Sequence, residues 1–188
     1  MFPGTAGNNG HRLAFHQEEA MPINSLDQKF VYELGAVYDA ELRYLDAQRQ
    51  MAQRTGSEQI TSMLHNHIQE TEQQIRNIEQ CFDILGQPAQ RINCEGAAGL
   101  VADGQKLLRE IAGNNSRLLD VAIAGSQMKV EHSEIAAYRG LVAGAELKNQ
   151  TQIVDLLRRN LQQEERTAQK IEQALPAMLQ QTMTVEAR

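Results

Sequence analysis

Four stretches of this chain repeat apolar residues every three or four positions, and each stripe is interrupted midway by acid. A 3.6-residue period puts such residues on one face of a helix. Phe30, Leu34 and Val37 lead into Glu41 before Tyr44 or Leu45 resumes the stripe. Ile60 and Leu64 lead to His67, Thr71 and Gln74, then back to Ile78, with Glu70 on the margin. Val130, Glu134, Ala137 and Leu141 line up in a third run, with Glu131 at its edge. Ile153, Leu157, Asn160, Glu164, Thr167 and Ile171 form the fourth. Helices of this kind hide their stripes only against one another, and doing so gathers the acids at the centre of a bundle.

The punctuation of the chain sets how the helices connect. Ser25 can cap the first helix, which is expected to end near Gly56. "GQP" at residues 86–88 stops the second. Residues 87–114 are richer in Gly and Ala, yet "EGAAGLVADGQKLLREI" keeps a helical pattern and reads as a short crossover helix. An Asn or Ser cap around residues 114–116 starts a run of about thirty residues, roughly 45 Å long at 1.5 Å per residue. The last helix covers about residues 150–175, and Pro176 should end or bend it because proline lacks the amide that the next turn needs.

Two helix pairs joined by a longer connection describe a four-helix bundle with one crossover. The expected fold is therefore all-α, an antiparallel four-helix bundle with an extra short helix between helices two and three. The domain is expected over residues 25–180, with residues 1–24, rich in Gly and Asn, as a flexible tail. Sliding the chain by 93 residues lays the second helix on the fourth and Glu41 on Glu134, an internal echo between the two hairpins.

Composition narrows the partners. With a net charge of -6 and no Lys/Arg-rich block, the chain has no electrostatic footprint for nucleic acid or anionic lipid. No run is long and apolar enough to span a membrane and the opening residues do not resemble a secretory signal, so a cytoplasmic protein is expected. Cys81 and Cys94 are too few for a disulfide framework and match no zinc-binding spacing.

Carboxylates gathered in a dry bundle would be untenable alone, since burying one unpaired carboxylate costs several kcal/mol and like charges force protonation. Two divalent cations would neutralise four of them, and oxygen donors with an occasional imidazole suit iron(II) or manganese(II). Glu41, Glu134 and Glu164 are the expected core ligands of a dinuclear site, although Glu41, with Arg43, Tyr44 and Asp46 nearby, also reads as part of a solvated face. Glu70 and His67 complete its helix-two side, although His67 also reads as a hydrogen-bonded core histidine. Glu131 reads either as a bridging ligand or as an outward or supporting group, and Glu165 as outward or supporting. His132 is expected to leave the core, His11, His16 and His65 to lie at the surface, and Cys81, Tyr38, Tyr44 and Tyr138 to serve as packing.

The segments "LGAVYDAELRYL", "HIQETEQQIRNIEQCFDILG", "KVEHSEIAAYRGL" and "LQQEERTAQKIEQ" resemble the YciE/YciF-type branch of the ferritin-like superfamily, from about residue 26 to 175. The resemblance implies a ferritin-like bundle, often a homodimer, linked to bacterial stress responses. Carried over by position, ferritin-type ligands fall on Glu41, Glu70, Glu131 or Glu134, and Glu164 or Glu165. The Glu-x-x-His pattern fails twice, with Gln73 and Thr167 where imidazoles are expected. Two functions follow as expectations: an iron or manganese site that acts on oxygen or peroxide or sequesters metal, and a metal-free dimeric structural or interaction module. A haem or hydrophobic-ligand bundle would need facing axial side chains, for which His67 and Met63 are poor candidates.

Overall fold

A computed structural model of the chain describes residues 22–111 and 116–186. The expected tail, apart from residues 22–24, lies outside the described residues, as do His11, His16 and most of the expected cap at residues 114–116. The described residues form five helices: α1 (Leu26–Ala52), α2 (Glu58–Ile84), α3 (Glu95–Glu110), α4 (Ser116–Leu147) and α5 (Thr151–Glu186).

Local chemistry sets most of the boundaries. Ser25 caps α1 by accepting from the Gln28 amide, and Ser57 caps α2 by accepting from the Ile60 amide, so each serine satisfies a donor with no partner inside its helix. Just beyond the end of α2, Gly86 takes a φ of 68°, the left-handed conformation that glycine adopts without penalty. The Gln87 amide there reaches back to the Phe82 carbonyl at 3.0 Å, the closure of a Schellman turn. Asn149, at φ 55°, turns the chain between α4 and α5.

Two boundaries differ from expectation. Helix α1 stops at Ala52, four residues before Gly56. Pro176 does not end the last helix, which continues to Glu186. Proline removes one amide bond from the helix. Beyond it, however, Met178 packs against the apolar group of Ile60, Leu64 and Ile123, and this contact holds the last turns in place.

Short connections make α1/α2 and α4/α5 antiparallel hairpins, and α2 packs on α5 while α1 packs on α4. Helix α3 lies outside this bundle against α1 and α4. The architecture is the expected all-α bundle with one extra helix in the crossover. The connection preceding α3 crosses α1 closely: the Ile92 amide donates to the Gly35 carbonyl at 3.1 Å, and a Cβ on Gly35 would lie 2.6 Å from Ile92 Cγ1. Asp39, buried one turn later, accepts from Arg43 Nε at 2.6 Å, from the Cys94 amide at 2.8 Å and from Arg91 Nε. Burial opposes its ionisation, but these three donors hold the carboxyl below its usual range.

The interior has three layers along the bundle axis. Phe30, Leu34, Ile78, Phe82, Leu141 and Leu157 belong to a dry cluster at one end. Met51, Ile60, Leu64 and Ile123 fill the other. Between them lies a polar slab: Glu41, Gln48, His67, Thr71, Gln74, Gln127, Glu131, Glu134, Asn160, Glu164 and Thr167 are all buried. Among the described residues, no helix is long and apolar enough to cross a membrane.

Candidate metal centre

Each helix of the bundle sends acid or imidazole into the slab. Glu41 of α1, Glu131 of α4 and Glu164 of α5 are each 0% exposed, with His67 of α2 at 2% and Glu134 of α4 at 4%. One ligand atom from each of His67, Glu131, Glu134 and Glu164 fits within a set whose members all lie within 4.8 Å of one another. Glu41 joins them electrostatically, since its charge raises both Glu134 and Glu164.

Glu131 is not an outward group. It lies one turn before Glu134, and the buried arc of α4 is broad enough to take in both, because α4 is covered by α5, α1 and α3. Glu70 is the expected ligand that sits farthest out, with its side chain 30% exposed. Thr71 and Gln74 take the inward positions of α2 below His67. Glu165 pairs with Arg139 at 2.7 Å and His132 with Glu172 at 2.9 Å, both exposed, and His65 is exposed.

Neutral donors satisfy one oxygen on each of three carboxylates. Gln74 Nε2 donates to Glu164 Oε1, Gln127 Nε2 to Glu131 Oε1 at 2.5 Å, and Tyr138 Oη to Glu41 Oε1. The direction of the last bond is fixed by its neighbours. Asn160 Nδ2 lies 3.2 Å from the Gln74 backbone carbonyl, which can only accept, so the amide nitrogen faces that side. The same nitrogen is 3.0 Å from Tyr138 Oη, so the phenol accepts there and its own hydrogen turns to Glu41. Asn77 Nδ2 donates to Asn160 Oδ1 at 2.7 Å, and Gln73 Nε2 to Asn77 Oδ1 at 3.0 Å, which extends the chain of bonds to the surface of α2.

The other oxygens meet no neutral protein donor, and carboxyl faces carboxyl where Glu41 meets Glu134 and Glu131 meets Glu164. Oε2 of Glu41, Glu131, Glu134 and Glu164 is buried without a hydrogen bond, as are both ring nitrogens of His67. His67 Nε2 lies 3.0 Å from Glu131 Oε1 and Nδ1 lies 3.6 Å from Glu70 Oε2. Neither contact meets hydrogen-bond geometry, so the two nitrogens have charged neighbours but no formed bond.

The electrostatics record the strain of this crowd. Burial first, then the neighbouring carboxylates, pushes Glu134 and Glu164 well above the usual carboxylate range. Burial also lifts Glu41 to about 8, although the Tyr138 hydroxyl and His67 pull the other way. Burial pulls His67 down, but Glu131 and Glu70 overcome it and push the imidazole up to about 9. Burial likewise opposes the ionisation of Glu131, yet His67 and the neighbouring donors hold it below the usual range. Four buried orphan oxygens and an unbonded imidazole form a donor set that fits hard or borderline divalent cations.

Sequence reasoning passed over the polar residues that support this set. Gln48 and Gln127 carry no charge and do not stand out along a helix, yet both are 1% exposed. Gln127 lies one turn before Glu131 and Gln48 two turns after Glu41, so extending the acid-bearing stripes would have found them. Tyr138, expected only to pack, also donates to Glu41.

Comparisons with known proteins agree with this architecture. The chain is 28% identical over 152 residues to Protein YciF of Escherichia coli (strain K12), covering 80% of this chain and 90% of that protein. The crystal structure of the E. coli stress protein YciF superposes with a TM-score of 0.78 at 26% identity, covering 84% of this chain and 99% of that one. YcfI from Rhodopseudomonas palustris superposes with a TM-score of 0.77 at 31% identity, covering 81% and 96%. Residues 25–184 match the family described as a domain of unknown function, DUF892, and the chain belongs to that family.

Proposed function

We propose that the polar slab holds a dinuclear iron or manganese site, through which the protein acts on oxygen or peroxide or sequesters metal under stress. The observation that carries this reading is the set of buried, unpartnered Oε2 atoms on Glu41, Glu131, Glu134 and Glu164 around His67. Apolar side chains at these positions would cost nothing in desolvation, whereas four acids are tolerable once cations neutralise them. Glu41, His67, Glu131, Glu134 and Glu164 would hold the metal, with Glu70 at the rim. A bound pair of such ions supplies Lewis acidity and one-electron steps. The chain supplies the rest. Gln74, Gln127 and Tyr138 each tie down one carboxylate oxygen and leave its twin free, and the two dry ends exclude bulk water. Loading requires Glu41, His67, Glu134 and Glu164 to release protons, so affinity should rise with pH.

The relative YciF bears the description of a stress protein, which supports placing this chain in a stress response. A homodimer in the cytoplasm remains the expected assembly, and sedimentation of the purified protein tests its size. Metal analysis of protein purified without chelator, beside Glu41→Ala, tests the centre: about two iron or manganese ions per chain are expected, with a large loss in the variant. No bound metal under metal-replete expression overturns the reading.

One observation favours a metal-free structural module. The inward α2 positions are Thr71 and Gln74, which are poor ligands, and Gln74 already bonds Glu164. YcfI is described as a candidate structural protein. That reading expects Glu134→Gln to raise thermal stability by removing a buried acid, with no metal bound to either protein.

A further inference from the structure

We infer that the groove between α1 and α4 is the route by which a small uncharged molecule, of the size of dioxygen or hydrogen peroxide, reaches the Glu134 carboxylate. This inference rests on the metal-centre reading for the use of the route, but the route itself is a property of the chain. The groove is open to solvent along one side and offers about 250 Å³, room for several waters. Its walls are small side chains from both helices, Ala36 and Ala40 on α1 facing Ala137 and Gly140 on α4. Residues this small leave the space between the two helix backbones unfilled.

Glu134 lines this groove and is the most exposed of the five deeply buried donors, at 4%, with its Oε2 unpartnered. The cavity near Met51 and the one near Met63 touch none of these donors. At the groove's edge Lys29 and Glu33 neutralise each other at 2.5 Å, so the entrance offers a cation no net attraction. A hydrated cation would also have to shed water against alanine, valine and leucine walls, which is costly, whereas dioxygen sheds almost none and an uncharged peroxide loses far less than an ion. Glu70, the half-exposed acid beside His67, faces a different seam of the bundle, between α2 and α5.

Gly140 permits a clean test, because a Cβ built there meets nothing within 4 Å. A leucine at this exposed helical position should project into the groove and leave the fold unstrained, with Tm unchanged or higher. Ala36→Leu tests the facing wall. Crystals of the parent chain pressurised with xenon should show an atom in the groove, which disappears in Gly140→Leu. Protein loaded with iron(II) under anaerobic conditions and mixed with dioxygen or hydrogen peroxide should oxidise at least ten-fold more slowly in both variants, at unchanged iron content.

Absence of xenon from the groove, or oxidation at the parent rate in both variants, overturns the inference. So does a change in oligomeric state in Gly140→Leu, which would make the groove an interface between copies. Failure of the parent chain to bind iron overturns the metal-centre reading instead. The xenon comparison then still decides whether the groove admits small neutral molecules.

Discussion

At the scale of single residues, protons stand in for cations. Glu41 lies near 8 against an ordinary 4.5, and His67 near 9 against 6.5. A group whose folded value is raised contributes stability in full below its unfolded value and loses it as pH climbs through the folded one. Glu134 and Glu164 act in the same direction, while Glu131 and Glu70, held low, titrate below this window. The metal-free protein should therefore lose thermal stability steadily from about pH 5 to about pH 9, as scanning calorimetry would read. A flat or rising profile would contradict the burial of these groups. Tyr138→Phe removes the donor to Glu41 and should cost roughly 1–3 kcal/mol in urea unfolding, because a buried acceptor is left without its partner. The acids were legible in the sequence because charge on an apolar stripe is conspicuous. Gln48, Gln127 and Tyr138 were not, because an amide or a phenol fits a helix surface or a core equally well.

Individual helices were legible wherever capping chemistry is local. Ser25 and Gly86 mark ends that follow from a few neighbouring atoms. Tertiary packing beyond Pro176, through Met178, keeps it from ending its helix, and no local pattern reveals that packing. Glu131 was ambiguous for a related reason: the width of a helix's buried arc depends on how many neighbours cover it, and α4 has three. The crossing of the connection over α1 was equally hidden, and it makes a sharp prediction. Gly35→Ala would drive a Cβ to 2.6 Å from Ile92 Cγ1 and 3.0 Å from the Gln90 carbonyl, and should destabilise by about 1–3 kcal/mol in chemical unfolding. In an exposed helix the same change would stabilise by roughly 0.5–1 kcal/mol, so the sign of the effect reports the crossing.

For the molecule as a whole, ligand linkage offers the broadest test. A cation that binds the folded chain alone raises its stability by about 2.7 kcal/mol at a hundredfold excess over Kd. Adding iron(II) or manganese(II) should therefore raise Tm, chelator should reverse the rise, and the gain should grow with pH as the donors shed protons. No shift with either metal would favour the structural module. The sequence conveyed the bundle, the extra helix and the depth of the acids, since all three follow from periodicity and spacing. It could not convey the groove at Glu134, which exists only where alanines and glycine from two distant helices meet.

Residues 86–91 are exposed, and they divide the six donors evenly: Glu41, His67 and Glu70 precede them, while Glu131, Glu134 and Glu164 follow. A chain cleaved there would yield two hairpins, each carrying half of the donor set. Neither fragment alone could assemble the polar interior, so reassociation of the pieces would itself be the act that builds it, and a split version of this protein could report on whatever brings its halves together.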